Sequence, residues 1–448
     1  MQLSKSILLL MIFTSSILQA DTLKLSLPHI FSDHMVLQRN QEITIWGSTK
    51  AKAKVTVRLG KDLVSSKADS QGKWKVLLAA RKANNQPVSL IIKSAGETKV
   101  INDILVGDIW LGSGQSNMEF PLKQTHLASA SIAAANEPQI RCFHVPKTVS
   151  NKANSDINAT WKLSSPKSIP DFSAVLYHFG KRLHDDLDVP IALINSSWGG
   201  SKIASWMSSN DKPGEMYNGM IAPLRDFKIK GCIWYQGEAN VIKKDGEKYF
   251  GMMKSLIEGW RQFWGSDMPF YFVQIAPWSV YEAGELPSLW QAQLKTLKLP
   301  ATGMVVVTDL VDNINDIHPK KKYEVGNRLA LWALAKTYGK KDLFYSGPLM
   351  EKVVFQGKNA RVHFKYADGL KSSDGKELKE FKIAGADGIY INAKAKIYGE
   401  TVVLSANGLT PVSVQFGWHK IAKPNLVNKA NLPASPFQSN KRTDETGK

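Results

Sequence analysis

The chain has 448 residues, of which 43% are hydrophobic and 22% charged, so it can form two or three globular domains with sizeable cores. Its formal net charge of +19 suggests a polyanionic partner, but the lysines are scattered and aromatic residues are not interleaved with the denser basic runs. The composition therefore argues against a nucleic-acid partner and against a disordered chain.

The first residues predict a secretory signal peptide at 1–20. A basic start is followed by a short apolar run at 7–13 and by small residues ending at Ala20. The run is too short to span a membrane comfortably. Leu18 is less usual near a cleavage site, which leaves an uncleaved anchor as the alternative. We expect export to the periplasm or the extracellular space, without stable membrane insertion.

Residues 21–105 predict an N-terminal β-sandwich domain. Apolar and polar residues alternate in short segments, and turn signals such as Asp69 to Gly72 separate them. An alternation of period two with regularly spaced turns is typical of strands that bury one face. The clearest segments are 42–46, 54–58 and 89–93.

Residues 106–340 predict an α/β domain, because strand-like apolar runs now alternate with helical patterns. Helical stripes run through 172–187 and 248–264. Strands that alternate with helices favour a parallel sheet covered by helices on both faces. The strand-like runs are 104–111, 191–195, 232–235, 270–275 and 304–308.

A second β region follows at 341–430, and the polar segment 431–448 with its two prolines predicts a flexible tail. Whether the two β segments form one domain is left open. The two cysteines, Cys142 and Cys232, exclude a disulfide scaffold, although they could pair in an oxidising compartment. Cys232 lies in an apolar run, which favours a buried free thiol.

Unusual polar clusters follow several of the predicted strands. In an open parallel sheet, ligands bind beyond the carboxyl ends of the strands. We therefore expect the clusters to converge on one edge of the sheet. They are Gly114-Gln115-Ser116-Asn117-Met118, Ser197-Trp198-Gly199-Gly200-Ser201, Gln236-Gly237-Glu238-Ala239-Asn240 and Asp316-Ile317-His318-Pro319.

Ser116 and His318 are the candidate nucleophile and base. A serine in a glycine-containing turn is often only a helix cap, and the segment lacks the second glycine of a G-x-S-x-G elbow. His318 precedes Pro319, a residue favoured at the first helical position, so it is predicted at the start of a helix that faces the sheet edge. This placement makes it the best candidate among the nine histidines.

The order of these four clusters resembles the sialate O-acetylesterase family, a carbohydrate-acting branch of the SGNH hydrolases. The resemblance covers the whole predicted α/β domain, and it implies an SGNH-like parallel sheet with flanking all-β domains. It also implies that Ser116 attacks an acetyl carbonyl after His318 takes its proton, which gives an acetyl-enzyme that water hydrolyses. No metal and no cofactor are expected.

The resemblance implies donors that stabilise the negative charge on the substrate oxygen. The candidates are the backbone N–H groups of Ser116 and of Gly199 or Gly200, and the side-chain amide of Gln236. The two glycines could instead form a simple turn. Asn240 is the rival of Gln236, since the wider superfamily uses an asparagine in its third block.

The acid that orients His318 is where the sequence departs from the wider superfamily, which places an aspartate three residues before the histidine. Asn315 stands there, and Asp316 matches the Asp-Ile-His of the narrower family. We prefer Asp316 over Asp309 and Asp312, with a Ser–His dyad as the alternative.

The predicted partner is an acetylated sugar or glycan, most simply an O-acetylated sialic acid. The alternatives are another acetylated glycan such as acetylxylan, and a non-catalytic carbohydrate-binding protein. Glu238 has no catalytic step assigned and could hold loops together. The sequence leaves the oligomeric state open. Tryptophans near the expected site could stack on sugar rings or pack in the core, and they are Trp198, Trp206, Trp234 and Trp278.

Overall fold

The structure is a computed structural model that describes residues 24–208 and 213–439. The predicted signal peptide at 1–20 lies outside the described residues. No helix in the described ranges is long and apolar enough to cross a membrane. Both cysteines are free and buried, so the pairing of Cys142 with Cys232 is absent.

The N-terminal region is built mainly from antiparallel strands whose side chains alternate between core and solvent, and its first strand pairs in parallel with its last. In the third strand Val55, Val57 and Leu59 are buried, and the residues between them are more exposed. The buried side chains of this region continue into the core of the following α/β region. The strands are β1 (Val36–Gln38), β2 (Ile43–Ser48), β3 (Lys54–Leu59), β4 (Asp62–Lys67), β5 (Lys73–Leu78), β6 (Asn84–Ser94) and β7 (Glu97–Gly114).

Strand β7 belongs to both regions. Its first part pairs with β6 and with β1, and its second part is a central strand of the α/β sheet. The boundary predicted between residues 105 and 106 therefore falls inside one continuous strand rather than in a linker.

The α/β region contains a mixed sheet in the order β13-β12-β11-β7-β10-β8-β9, and β9 is the antiparallel edge strand. The other neighbours along this path pair in parallel. The SGNH-like α/β fold with additional all-β sheets is thus confirmed. The new strands are β8 (Glu137–His144), β9 (Trp161–Ser164), β10 (Ile191–Ser197), β11 (Gly231–Tyr235), β12 (Phe270–Val273) and β13 (Thr302–Val305).

The two predicted helical stripes form α3 and α5. Helix α7 begins at Lys322, so the helix start predicted at Pro319 is wrong, and His318 lies in the preceding loop. The long helices bury one face each against the sheet, as their apolar stripes require. The helices are α1 (Ser116–Glu119), α2 (Ala128–Ala133), α3 (Ala174–Leu187), α4 (Glu238–Ile242), α5 (Gly246–Trp264), α6 (Glu285–Thr296) and α7 (Lys322–Lys336).

The C-terminal region has a separate core between two four-stranded sheets, β14-β15-β20-β19 and β18-β17-β21-β23, in which Val402 and Phe416 are fully buried. A two-stranded pair, β16 and β22, lies beside them. The strands are β14 (Leu349–Gln356), β15 (Asn359–Lys365), β16 (Lys371–Ser372), β17 (Phe381–Ala384), β18 (Tyr390–Asn392), β19 (Lys394–Tyr398), β20 (Thr401–Ser405), β21 (Ser413–Phe416), β22 (Leu426–Val427) and β23 (Phe437–Gln438).

The first part of the expected flexible tail is folded. Strand β23 pairs with β21, and the Phe437 ring is 1% exposed, against Phe364 and Phe416. The prediction of a flexible segment from 431 onward is therefore wrong for residues 431–439, because Leu432, Ala434 and Phe437 are buried there. Residues 440–448 lie outside the described residues.

Candidate active site

Three of the four polar clusters lie level with one another beyond the carboxyl ends of neighbouring strands. Gly114, at the end of β7, is the register partner of both Ser197 on β10 and Tyr235 on β11. The strand order reverses on either side of β7, and this reversal creates the crevice in which α/β sheets bind ligands. The loop before α7 brings the fourth cluster to the same place.

Ser116 and His318 meet in this crevice. The Oγ atom of Ser116 and the Nε2 atom of His318 are 2.8 Å apart, although 202 residues separate them in the chain. Both residues are half-buried, so a ligand can reach them. This distance suits the transfer of a proton from the hydroxyl to the imidazole.

The environment keeps the imidazole of His318 neutral. Burial is the largest cause that lowers its pKa, and the positive charge of Lys322 acts in the same direction. The carboxylate of Asp316 opposes both effects. A neutral imidazole at physiological pH is the form that can accept a proton.

Asp316 contacts His318 through the backbone. One carboxylate oxygen, Oδ1, accepts the backbone N–H of His318 at 2.8 Å and lies 3.9 Å from the ring nitrogen Nδ1. That separation is beyond hydrogen-bond range, so Asp316 shapes the loop without orienting the ring directly. The other residues considered for this role have partners of their own: Asp309 pairs with Arg328, Asp312 with Lys321, and Asn315 with Ser279.

Gly199 lies against the serine, but its N–H group is occupied. A Cβ atom built on Gly199 would lie 3.4 Å from the Cβ of Ser116. The N–H of Gly199 donates to Oε2 of Glu119 at 2.7 Å, and the other carboxylate oxygen of Glu119 lies 2.5 Å from the Nζ of Lys147. Gly200 is exposed, with a left-handed backbone at φ 74°. The expected oxyanion donor Gly199 is thus bound to a carboxylate in this structure.

Gln236 is fully buried, and its side chain has no N–H left for a substrate. The amide nitrogen donates to the side-chain oxygens of Gln115 and Asn240 and to the carbonyl of Ser201, while its oxygen accepts the hydroxyl of Tyr249. In this structure protein groups therefore occupy the amide that was expected to act as an oxyanion donor. The side chain of Gln236 connects the segments that follow β7, β10 and β11.

Asn240, the rival of Gln236, is equally buried. Its Oδ1 accepts the Gln236 amide and the backbone N–H of Ile203, and its Nδ2 donates to Asp245 at 3.1 Å. Both glutamine and asparagine therefore hold the third cluster in place. Both side chains are almost completely shielded from solvent.

Glu238 and Lys322 are buried, and the side chain of Asn117, the residue after Ser116, joins them. The Nδ2 atom of Asn117 donates to Glu238 Oε1 at 2.5 Å and to the carbonyl of Ile317 at 3.0 Å. Its Oδ1 atom accepts from Lys322 Nζ at 2.5 Å. The expectation that Glu238 holds loops together agrees with these contacts.

The chain resembles known carbohydrate esterases over most of its length. Residues 106–335 match the family model described as "carbohydrate esterase, sialic acid-specific acetylesterase". Sialate O-acetylesterases of Homo sapiens and Pongo abelii are each 30% identical, over 79% of this chain and 78% of theirs. A solved carbohydrate acetylesterase from Xanthomonas citri is 37% identical, with a TM-score of 0.89, over 93% of this chain and 99% of that one.

The chain belongs to the sialic acid-specific acetylesterase family. This acetylesterase is accordingly a carboxylic ester hydrolase that acts on the O-acetyl esters of sugars. An acetylated sugar is therefore its substrate, and the alternative of a non-catalytic carbohydrate-binding protein is wrong.

The tryptophans near the acetylesterase site divide into two groups. Trp206 and Trp234 are fully buried and pack edge to face, so they belong to the core. Trp198 and Trp278 are half-buried at the crevice. The Trp278 indole donates to the carbonyl of Asn315, and the Lys147 ammonium lies 5.8 Å from the Trp198 ring.

Four residues of the acetylesterase site were not predicted from the sequence: Gln115, Glu119, Lys147 and Lys322. Gln115 and Glu119 flank Ser116 closely, so proximity to the serine was an available signal. Lys322 follows His318 by four residues, within a basic run that reads as a solvated surface. Nothing in the sequence places Lys147 at the site, because only the tertiary fold brings it to Trp198.

Proposed function

We propose that this acetylesterase forms an acetyl-enzyme on Ser116 with His318 as general base. The observation that carries the proposal is the 2.8 Å separation of the Ser116 hydroxyl and the His318 ring at the accessible sheet edge. The imidazole takes the hydroxyl proton as Oγ attacks the acetyl carbonyl, and then gives it to the departing sugar oxygen. His318 then takes a proton from a water molecule as the water attacks the acetyl-enzyme, and it returns that proton to Ser116 Oγ as acetate is released.

The developing oxyanion needs donors that lie close to Ser116. The backbone N–H of Ser116 is one candidate, because the first N–H groups of a helix have no partner within the helix. The N–H of Gly199 is the second, once the Glu119 carboxylate has moved away from it. Gly200 is the alternative donor, being exposed beside it. Asp316 completes the proposed machinery by fixing the backbone of His318.

Acetate release from p-nitrophenyl acetate tests the nucleophile. We expect Ser116→Ala to abolish release above background, while Ser113→Ala, which alters a fully buried serine near the end of β7, leaves it intact. Release by the Ser116 variant at the rate of the unaltered enzyme would disprove the assignment.

The proposed substrate is an O-acetylated sialic acid, which the name of the matching family and the names of the mammalian relatives support. A second candidate is another acetylated glycan such as acetylxylan. The relative from Xanthomonas citri is named only as a carbohydrate acetylesterase. Lys147, the cation that lies beside the Trp198 ring, is already paired with Glu119, which favours a neutral sugar.

A direct comparison of substrates separates the two candidates. Acetate release from O-acetylated sialic acid and from acetylxylan is measured at equal acetyl concentration. A higher kcat/KM on the sialic acid supports the first candidate, and a higher kcat/KM on acetylxylan supports the second. Lys147→Met adds a control, because it should weaken only a substrate that carries a carboxylate.

Export and the division into domains remain predictions. We propose removal of residues 1–20, followed by an N-terminal β region, the catalytic region and a C-terminal β region. N-terminal sequencing of the protein from the producing cell tests the first statement. A mature chain that starts at Asp21 supports export, and retention of Met1 contradicts it.

A further inference from the structure

We propose that Lys322, Asn117 and Glu238 form a buried clasp, with Lys322 as a positioning residue that fixes His318 against Ser116. The proposal rests on the proposed roles of Ser116 and His318 and deepens them. Each member of the clasp lies beside a different part of the site: Asn117 follows Ser116, Lys322 begins the helix after His318, and Glu238 follows β11.

The clasp connects the serine to the histidine loop through one amide. Asn117 Nδ2 donates to the carbonyl of Ile317, the residue before His318, at 3.0 Å. The Lys322 ammonium holds the oxygen of the same amide at 2.5 Å and so fixes which way the amide points. A reversed amide would place its oxygen against the Ile317 carbonyl and the Glu238 carboxylate, where it would be repelled.

The two charged members of the clasp, Glu238 and Lys322, are buried together, so each stabilises the charge of the other. Asn117, Glu238 and Lys322 are each at most 1% exposed. Burial raises the pKa of Glu238, and it lowers the pKa of Lys322 to about 7 against the opposing charges of Glu238 and Asp316. Among the described residues, Glu238 Oε2 has no hydrogen-bond partner. An unpaired buried charge is costly, so removal of one partner disturbs the other.

Lys322 also acts on His318 by its charge. The groups that face the imidazole are the Ser116 hydroxyl, the Phe120 ring, the Asp316 carboxylate and the Lys322 ammonium. The ammonium itself lies 5.1 Å from the Phe120 ring and 5.3 Å from the Tyr235 ring, with Glu238 as its opposite charge. The positive charge of Lys322 lowers the pKa of His318 and so favours the neutral ring.

The test uses Lys322→Met, the neutral double variant Glu238→Gln/Lys322→Met, and Lys321→Met as the matched control, a more exposed lysine paired with Asp312. Each is assayed for kcat, KM and the pH profile of kcat/KM on p-nitrophenyl acetate, with thermal unfolding in parallel. We expect kcat to fall about 10- to 100-fold in both Lys322 variants, because a small misplacement of reacting groups has effects of this size. KM and the control stay close to the unaltered values.

The acidic limb of the profile should move to higher pH in both Lys322 variants. Lys322→Met leaves the buried Glu238 carboxylate without its opposite charge, which can prevent folding. The double variant also removes that carboxylate charge, so the test stays valid if the single variant does not fold. A folded double variant with unaltered kcat and an unmoved acidic limb would overturn the proposal and leave Lys322 a structural counter-charge. Ser116→Ala, measured beside it, shows separately whether the proposed nucleophile fails.

Discussion

Replacement of Gln236 by leucine distinguishes a structural glutamine from an oxyanion donor. The side chain makes four hydrogen bonds to other buried groups, and leucine has a similar size but makes none. At a net contribution of about 1 kcal/mol for each bond, the variant loses about 4 kcal/mol of stability. For a domain of this size that corresponds to a fall in Tm of roughly 10 °C.

The kinetic expectation is the opposite of the one for an oxyanion donor. We expect kcat of the folded Gln236→Leu enzyme to fall less than about tenfold, whereas loss of an oxyanion donor lowers kcat about 10²- to 10³-fold. Thermal unfolding gives Tm, and acetate release well below Tm gives kcat. Gln293→Leu is the matched control, since that glutamine is also fully buried but bonds only to the backbone around β12. It should lose about half as much stability and no activity.

A fall in kcat of about 10²-fold or more with Tm lowered by less than about 2 °C would refute the structural interpretation of Gln236. The amide would then have to leave its buried partners during the reaction. That outcome would also require the Tyr249 hydroxyl and the Asn240 oxygen to change partners, because both bind the Gln236 side chain in this structure.

Three further predictions follow from the surroundings of His318 and from the C-terminal core. Burial and Lys322 lower the pKa of His318, so the acidic limb of kcat/KM lies below pH 6.5, and a midpoint above that value contradicts the neutral-imidazole geometry. Asp316→Asn keeps an oxygen for the His318 backbone N–H, so kcat falls far less than the roughly 10⁴-fold typical of an acid bonded to the ring, and the acidic limb moves to lower pH. Phe437→Ala lowers the free energy of unfolding by about 3–5 kcal/mol in denaturant titration, and a loss below about 1 kcal/mol contradicts its place in the core.

The sequence was sufficient to predict the fold class and the meeting point of the polar clusters. Periodicity separates the β regions from the α/β region, and the carboxyl ends of parallel strands share one edge of a sheet. Ser116 and His318 were both predicted there for that reason, and the structure brings their reacting atoms within hydrogen-bond distance.

The orientations of the other side chains could not be predicted, because they depend on packing between distant elements. A neutral amide at a strand end suits both a substrate contact and a buried contact. For Gln236 the choice depends on Tyr249 of α5 and Asn240 of α4, which surround it. Likewise, Pro319 favours a helix start by its fixed backbone angle, yet the helix begins at Lys322, whose ammonium binds Asn117.

Strand β7 fixes the position of Ser116, which follows the end of the strand by two residues. The strand is held by N-terminal partners along its first part and by β10 and β11 along its second part, so its end is fixed from both directions. At that end Gly114 has φ 134°, and a Cβ there would lie 2.2 Å from the carbonyl oxygen of Tyr235. Only glycine permits this approach, which turns the chain out of the sheet and presents Ser116 to the crevice. The N-terminal β region therefore anchors the strand that leads into Ser116, the proposed nucleophile.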